Sequence, residues 1–267
     1  MINFQKIIKY LAIAFAVFLI ISITSGIIYG IANINYFIND REDNLKDVKI
    51  INIDTDIKSL KFDIQASSLI IKRDDTIKVE TNNKKLDIND DNNVLVLKEK
   101  KNFIFNKNKS KIIVYLPDFV YDNVIIKLGA GELNIDNLSA KDVSLQIGAG
   151  KAVINKINTV NSLNIDSGAG KLDILDGNIN NFDLDMGTGN VLVNGIITGN
   201  SRIDCGVGNI GIKLLDTSDN YELNISKGIG TITVDGDKIK DDITIGNGNN
   251  KIIIDGGIGE ISINYSE

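Results

Sequence analysis

Between residues 120 and 235 apolar and polar residues alternate with period two. A pair of glycines, one residue apart, interrupts the alternation at regular intervals. Val124, Ile126 and Leu128 lead into Gly129 and Gly131; Val143, Leu145 and Ile147 lead into Gly148 and Gly150. The same pattern recurs with Leu163, Ile165 and Ser167, and with Phe182, Leu184 and Met186. Beyond each pair the alternation resumes, as in Leu172 and Ile174 or Val191 and Val193. Period two predicts strands with one buried face.

The first glycines of successive pairs stand at 129, 148, 168, 187, 206, 228 and 246, and an eighth pair, Gly257 and Gly259, follows closely. A period near 20 is the mark of stacked repeats. The phase is informative. Leu128 and Leu133 are five residues apart, as are Ile147 and Ala152, or Cys205 and Ile210. An odd offset would turn the second apolar set outward on a continuous strand. The chain must therefore bend at each glycine pair, where glycine tolerates the dihedrals of a corner. These features predict an all-β protein whose residues 118–267 form a β-solenoid, β-helix-like, of about seven coils of ~20 residues. Each coil has two or three short faces, and the stack is roughly 30–35 Å long. Residues 47–117 alternate without glycine pairs and read as an irregular β region capping the N-terminal end, with Pro117 at the junction.

The pattern changes at the N-terminus. Residues 10–32, YLAIAFAVFLIISITSGIIYGIA, carry no charge and suffice to cross a bilayer as one helix. Lys6 and Lys9 precede them, and Asp40, Arg41, Glu42 and Asp43 are the first charges after them. This predicts a cytoplasmic segment at 1–9, a transmembrane signal anchor at 10–32, a linker at 33–46 and an extracytoplasmic body on a single-pass membrane protein. The apolar core exceeds that of a cleaved signal peptide, and no small-x-small site follows it.

Composition narrows the chemistry. The net charge of −6 argues against a phosphate-backbone surface. The densest basic stretch, 98–111, reads as a solvated hairpin. The absence of histidine removes the commonest general base and transition-metal ligand. The single cysteine, Cys205, forms no internal disulfide and aligns with inward positions, as a buried core thiol.

GVGNIG at 206–211 matches a dinucleotide fingerprint by letter, but strand rather than helix follows it. The calcium-binding nonapeptide pattern fails in both spacing and aspartate position. Asp166, Asp185 and Asp204 share one outward position in three successive coils, with Asp183 two residues before Asp185. Two readings stay open: a column for solubility and edge protection, or oxygen ligands for a cation. The repeats lack the long loops that build a catalytic cleft. No catalytic, cofactor-binding or metal-ligating residue is assigned, and the protein is expected not to be an enzyme.

The anchor, the irregular β region, IIVYLPDFVYDNVIIKLGAGELNIDNL at 112–138 and the repeating Gly-x-Gly units together resemble a bacterial family of β-strand-repeat domains of unknown function, often called "putative adhesins". The resemblance covers roughly residues 45–265 and implies a β-solenoid, an envelope location and no established catalytic residues. The expected function is a non-catalytic, membrane-anchored binding or structural module at the bacterial cell envelope, adhesin-like, meeting a glycan or protein. The alternative is an accessory of an envelope-stress or regulatory membrane complex, meeting neighbouring membrane proteins. The apolar final coil, KIIIDGGIGEISINYSE, is expected either to self-associate or to be capped by the final residues.

Overall fold

The predicted strands form, and they run through the glycine corners without stopping. The computed structural model describes residues 48–100 and 110–266. The segments 1–9, 10–32 and 33–46 lie outside the described residues, as does most of the basic stretch 98–111. No helix among the described residues is long and apolar enough to cross a membrane.

Seven short strands come first: β1 (Lys49–Ile53), β2 (Ser59–Ile64), β3 (Ser68–Arg73), β4 (Ile77–Thr81), β5 (Leu86–Asn89), β6 (Val94–Glu99) and β7 (Lys111–Leu116). The repeat region follows with β8 (Val120–Ile135), β9 (Leu138–Ile154), β10 (Ile157–Ile174), β11 (Gly177–Asn180), β12 (Phe182–Thr198) and β13 (Asn200–Leu214). The last four are β14 (Tyr221–Val234), β15 (Asp237–Ile239), β16 (Ile243–Gly246) and β17 (Asn250–Tyr265).

β8, β9, β10, β12 and β13 stack in parallel in sequence order. Leu145, Ile165, Leu184 and Ile203 fall on one line, as the repeat predicts, and all are buried. Residues on both sides of each corner, such as Leu128 and Leu133, or Cys205 and Ile210, are buried together. The bend therefore does correct the odd offset. A further face precedes each of these, as at Ile157 and Ile179, so a coil has three short faces.

Both ends depart from sequence order. β17 inserts between β13 and β14 and pairs in parallel with each. The stack therefore ends in β14, and antiparallel β16 and β15 cover parts of β14's outer edge. A cap is present, but residues 237–246 supply it, not the final residues. The Gly246–Gly248 pair lies at this cap, while Gly257 and Gly259, on β17, form the sixth of seven Gly-x-Gly coils in spatial order. At the other end β2 and β3 form a coil beneath β8, and β6 and β7 form another beneath that. Antiparallel β4 lies on β7, β5 on β6, and β1 on β4. The region read as irregular thus holds two regular layers and their cap. One buried column, Leu97, Phe62, Ile126, Leu145, Ile165, Leu184, Ile203, Ile254 and Ile225, passes through all nine layers among the described residues.

The corner needs glycine for a reason stronger than flexibility. The carbonyl of each layer's second glycine lies directly over the second glycine of the next. A Cβ on Gly170 would stand 1.8 Å from the Gly150 carbonyl oxygen, and φ there is +141°. Side chains rarely adopt that backbone conformation. The neighbouring Ala169 points outward and is exposed. Gly170→Ala is expected to lose at least about 3 kcal/mol in urea unfolding, whereas Ala169→Ser stays near zero.

Candidate functional site

Two features of the stack carry charge in an organised way. The first is at the base. The corner of the β2–β3 coil is Gln65–Ala66–Ser67, with no glycine. Three consecutive backbone N–H groups there point to one carboxylate, Glu99 at the end of β6. Gln65, Ala66 and Ser67 donate to Glu99 Oε2 at 2.7, 2.9 and 3.2 Å. The Ser67 hydroxyl and the Asn83 amide donate to Oε1 at 2.8 and 2.7 Å. Such a row of N–H groups forms an anion-binding concavity. Partial burial pushes the Glu99 carboxyl up, but the converging donors outweigh it and hold it below the usual carboxylate range. Glu99 takes the place of the backbone carbonyls that a preceding glycine corner would supply. No period in the sequence marks it; the signal is a corner with side chains where the layers from β8 onward have glycines.

The second feature is the outward ladder on the strand before the corner. Asp166, Asp185 and Asp204 do line up in successive layers, and Asp255 continues the line because β17 inserts there. The sequence order hides this fourth carboxylate. Asp183 pairs in register with Arg202. Arg202 Nη2 lies 3.2 Å from Asp204 Oδ2 and 3.0 Å from Asp255 Oδ2. Its guanidinium is held more firmly protonated, first by the hydrogen bond to Asp204 and then by the charge of Asp255. The Ser226 hydroxyl donates to Asp255 Oδ1. Like charges at the ladder spacing of about 5 Å repel, and Arg202 offsets part of this repulsion. No group of three or more acidic, histidine or cysteine side chains among the described residues is arranged to hold a metal ion.

Beside the ladder runs the column of side chains between the glycines. It consists of alanines at Ala130, Ala149 and Ala169, then Thr188, then Val207, Ile258 and Ile229 in spatial order. The last three are 44, 51 and 72 % exposed. A cleft of about 290 Å³, lined in part by Asn224, Ser226, Asp242 and Thr244, opens at the same end. The C-terminal half of the stack thus offers an acidic face bordered by an apolar ridge. Cys205 is buried, and burial together with the Asp204 charge pushes its thiol up, which disfavours the reactive thiolate. GVGNIG is a corner inside β13, with no helix for a pyrophosphate to meet.

This architecture defines an all-β, solenoid-like repeat protein. The chain belongs to the Toastrack DUF4097 family, whose model matches residues 42–254. Solved structures with similar folds include a "putative cell adhesion protein" from Clostridium sporogenes, 14% identical, with a TM-score of 0.38, covering 82% of this chain and 99% of that one. A "putative adhesin" from Bacteroides fragilis is 14% identical, with a TM-score of 0.28 and coverage of 82% and 97%. Another from Parabacteroides distasonis is 12% identical, with a TM-score of 0.36 and coverage of 82% and 96%. No curated protein matches the chain.

Two outcomes follow from the charges. Glu99→Gln is expected to cost about 1 kcal/mol at neutral pH, after allowance for partial exposure. Because the folded carboxyl titrates lower than the unfolded one, this contribution is present above the unfolded value near 4.5 and fades as pH falls through the folded value. The gap between wild type and variant in urea midpoints should therefore close in acid. Arg202→Gln is expected to lower the melting temperature at low ionic strength, with the difference shrinking in molar salt as the carboxylates are screened.

Proposed function

We propose that the chain is a non-catalytic binding module, displayed outside the membrane by the segment at 10–32 and adhesin-like in action. The observation that carries this reading is the extended acidic face with its apolar ridge in the C-terminal half of the stack. Large exposed apolar side chains in a row, rimmed by polar groups, mark surfaces that meet macromolecules. The ladder repeats every layer at about 4.8 Å, a regular array suited to an extended polymer or a protein surface. The lack of histidine and the short connections between coils support a binding role over a catalytic one. The partner is an envelope glycan or a protein of that compartment.

The test uses the full-length protein in membranes. Val207→Asp with Ile258→Asp changes the ridge without touching the core column. Wild type is expected to be labelled from outside the cell and to co-sediment with isolated wall glycan, and the double variant to lose co-sedimentation in salt-matched buffer while its far-ultraviolet circular dichroism stays that of the folded wild type, the adjacent aspartates costing some melting temperature by repulsion. Cross-linking that instead recovers neighbouring membrane proteins at the same level from both forms would sink the adhesin reading and favour the accessory role.

A further inference from the structure

The strand order includes a step that the repeat itself does not require. β13 and β14 are consecutive in the sequence, yet β17 lies between them. It pairs with both walls along most of its length. Ile203, Ile254 and Ile225 form one column, and Ile210, Ile261 and Ile232 another. A Cβ on Gly259 would stand 1.6 Å from the Gly208 carbonyl oxygen, and one on Gly230 would stand 1.6 Å from that of Gly259. The walls are therefore complementary to β17 in shape, register and backbone hydrogen bonding.

The walls also match each other. Without β17, the same register would set Ile225 on Ile203 and Ile232 on Ile210. The glycine pairs of β13 and β14 stand 22 residues apart, close to the spacing of direct neighbours elsewhere in the stack. Both walls precede β17 in the chain, so the slot is completed by a segment that is made after its sides. Only Asn247–Asn249 joins β17 to the preceding cap strand, and Asn247 and Asn249 are exposed. Any second copy carries the identical strand.

We propose that β17 is a donor strand: the slot between β13 and β14 accepts Asn250–Tyr265 from a second copy of this chain as well as from its own, so that copies join by strand exchange during folding. Exchanged and unexchanged forms make the same ladder bonds and bury the same columns. Linker reach and local concentration then set the balance between them. Reciprocal exchange closes a two-fold dimer, and one-way donation extends a row of copies. This inference rests on the strand order alone and is independent of what the acidic face binds.

The test reads the exchange as a covalent product. Full-length chains in a Cys205→Ser background carry either Lys213→Cys or Asn264→Cys. These two exposed positions are partners across β13 and β17. Neighbouring strands lie about 4.8 Å apart, within the Cα range that a disulfide spans. The two chains are co-expressed, oxidised and run on a non-reducing gel. A disulfide-linked dimer is expected at several times the level given by a control mixture of Asn164→Cys and Asp183→Cys chains. Those two positions are partners across β10 and β12, within the uninterrupted stack. A mixture that gives no more dimer than the control, while one chain carrying both Lys213→Cys and Asn264→Cys closes its internal bridge, overturns the proposal. If that pair disturbs folding, Asn200→Cys with Lys251→Cys reads the same two strands, and dimer at the control level overturns it equally.

Discussion

The close stacking of backbone on backbone at the glycine corner is the constraint on which the structure depends. Regular ladders hold two faces of any parallel stack, but a corner must turn without opening a gap. Here it turns by placing a carbonyl over the α-carbon of the next layer, at a separation that leaves no room for a Cβ. The glycine pair is thus the geometric condition for a thin core. A coil such as β9 turns only seven side chains inward, so the core gains its burial from length. One coil alone would leave both of its edges and most of its apolar face in water.

A stack built this way has two vulnerable ends, and the molecule treats both alike. At each end a strand from the outer part of the sequence is set one layer inward, and shorter antiparallel strands cover part of the layer outside it. Open edges of parallel ladders invite pairing with other chains, and the antiparallel strands shorten the open length. In the β2–β3 coil the corner N–H groups of Gln65, Ala66 and Ser67 are met by a side chain, the Glu99 carboxylate at the end of β6.

The repeat was legible because it is set by two local signals, the alternation and the glycine pair, and both report burial directly. The inward column, the corner and the buried Cys205 followed from parity alone. What was hidden was order in space. Gly246 and Gly248 fall near the repeat distance and imitate a coil, although they serve a cap strand. Gly257 and Gly259 do form a coil but stand where sequence spacing suggests a leftover. The two basal layers do not show in the glycine period because the pair is missing there: Gln65–Ala66–Ser67 makes the corner with side chains, and its N–H groups go to Glu99. The acidic ladder was seen in three of its four members. Asp255 was missed for the same reason as the inserted strand, since a vertical line of residues can be read only once the stacking order is known. Its pairing through Arg202 was invisible because a lateral contact between coils leaves no trace in a period.

The inward placement of β2 and β3 also has a mechanical consequence. An outermost coil could be peeled away one hydrogen bond at a time, at low force. β2 and β3 are gripped by neighbours above and below, so a pull entering through residue 48 would first strip β1 from β4 and then meet a segment that must slide against two partners at once. Breaking many bonds together demands far more force than breaking them in turn. The fold is thereby suited to bear load at the point where its chain enters the stack.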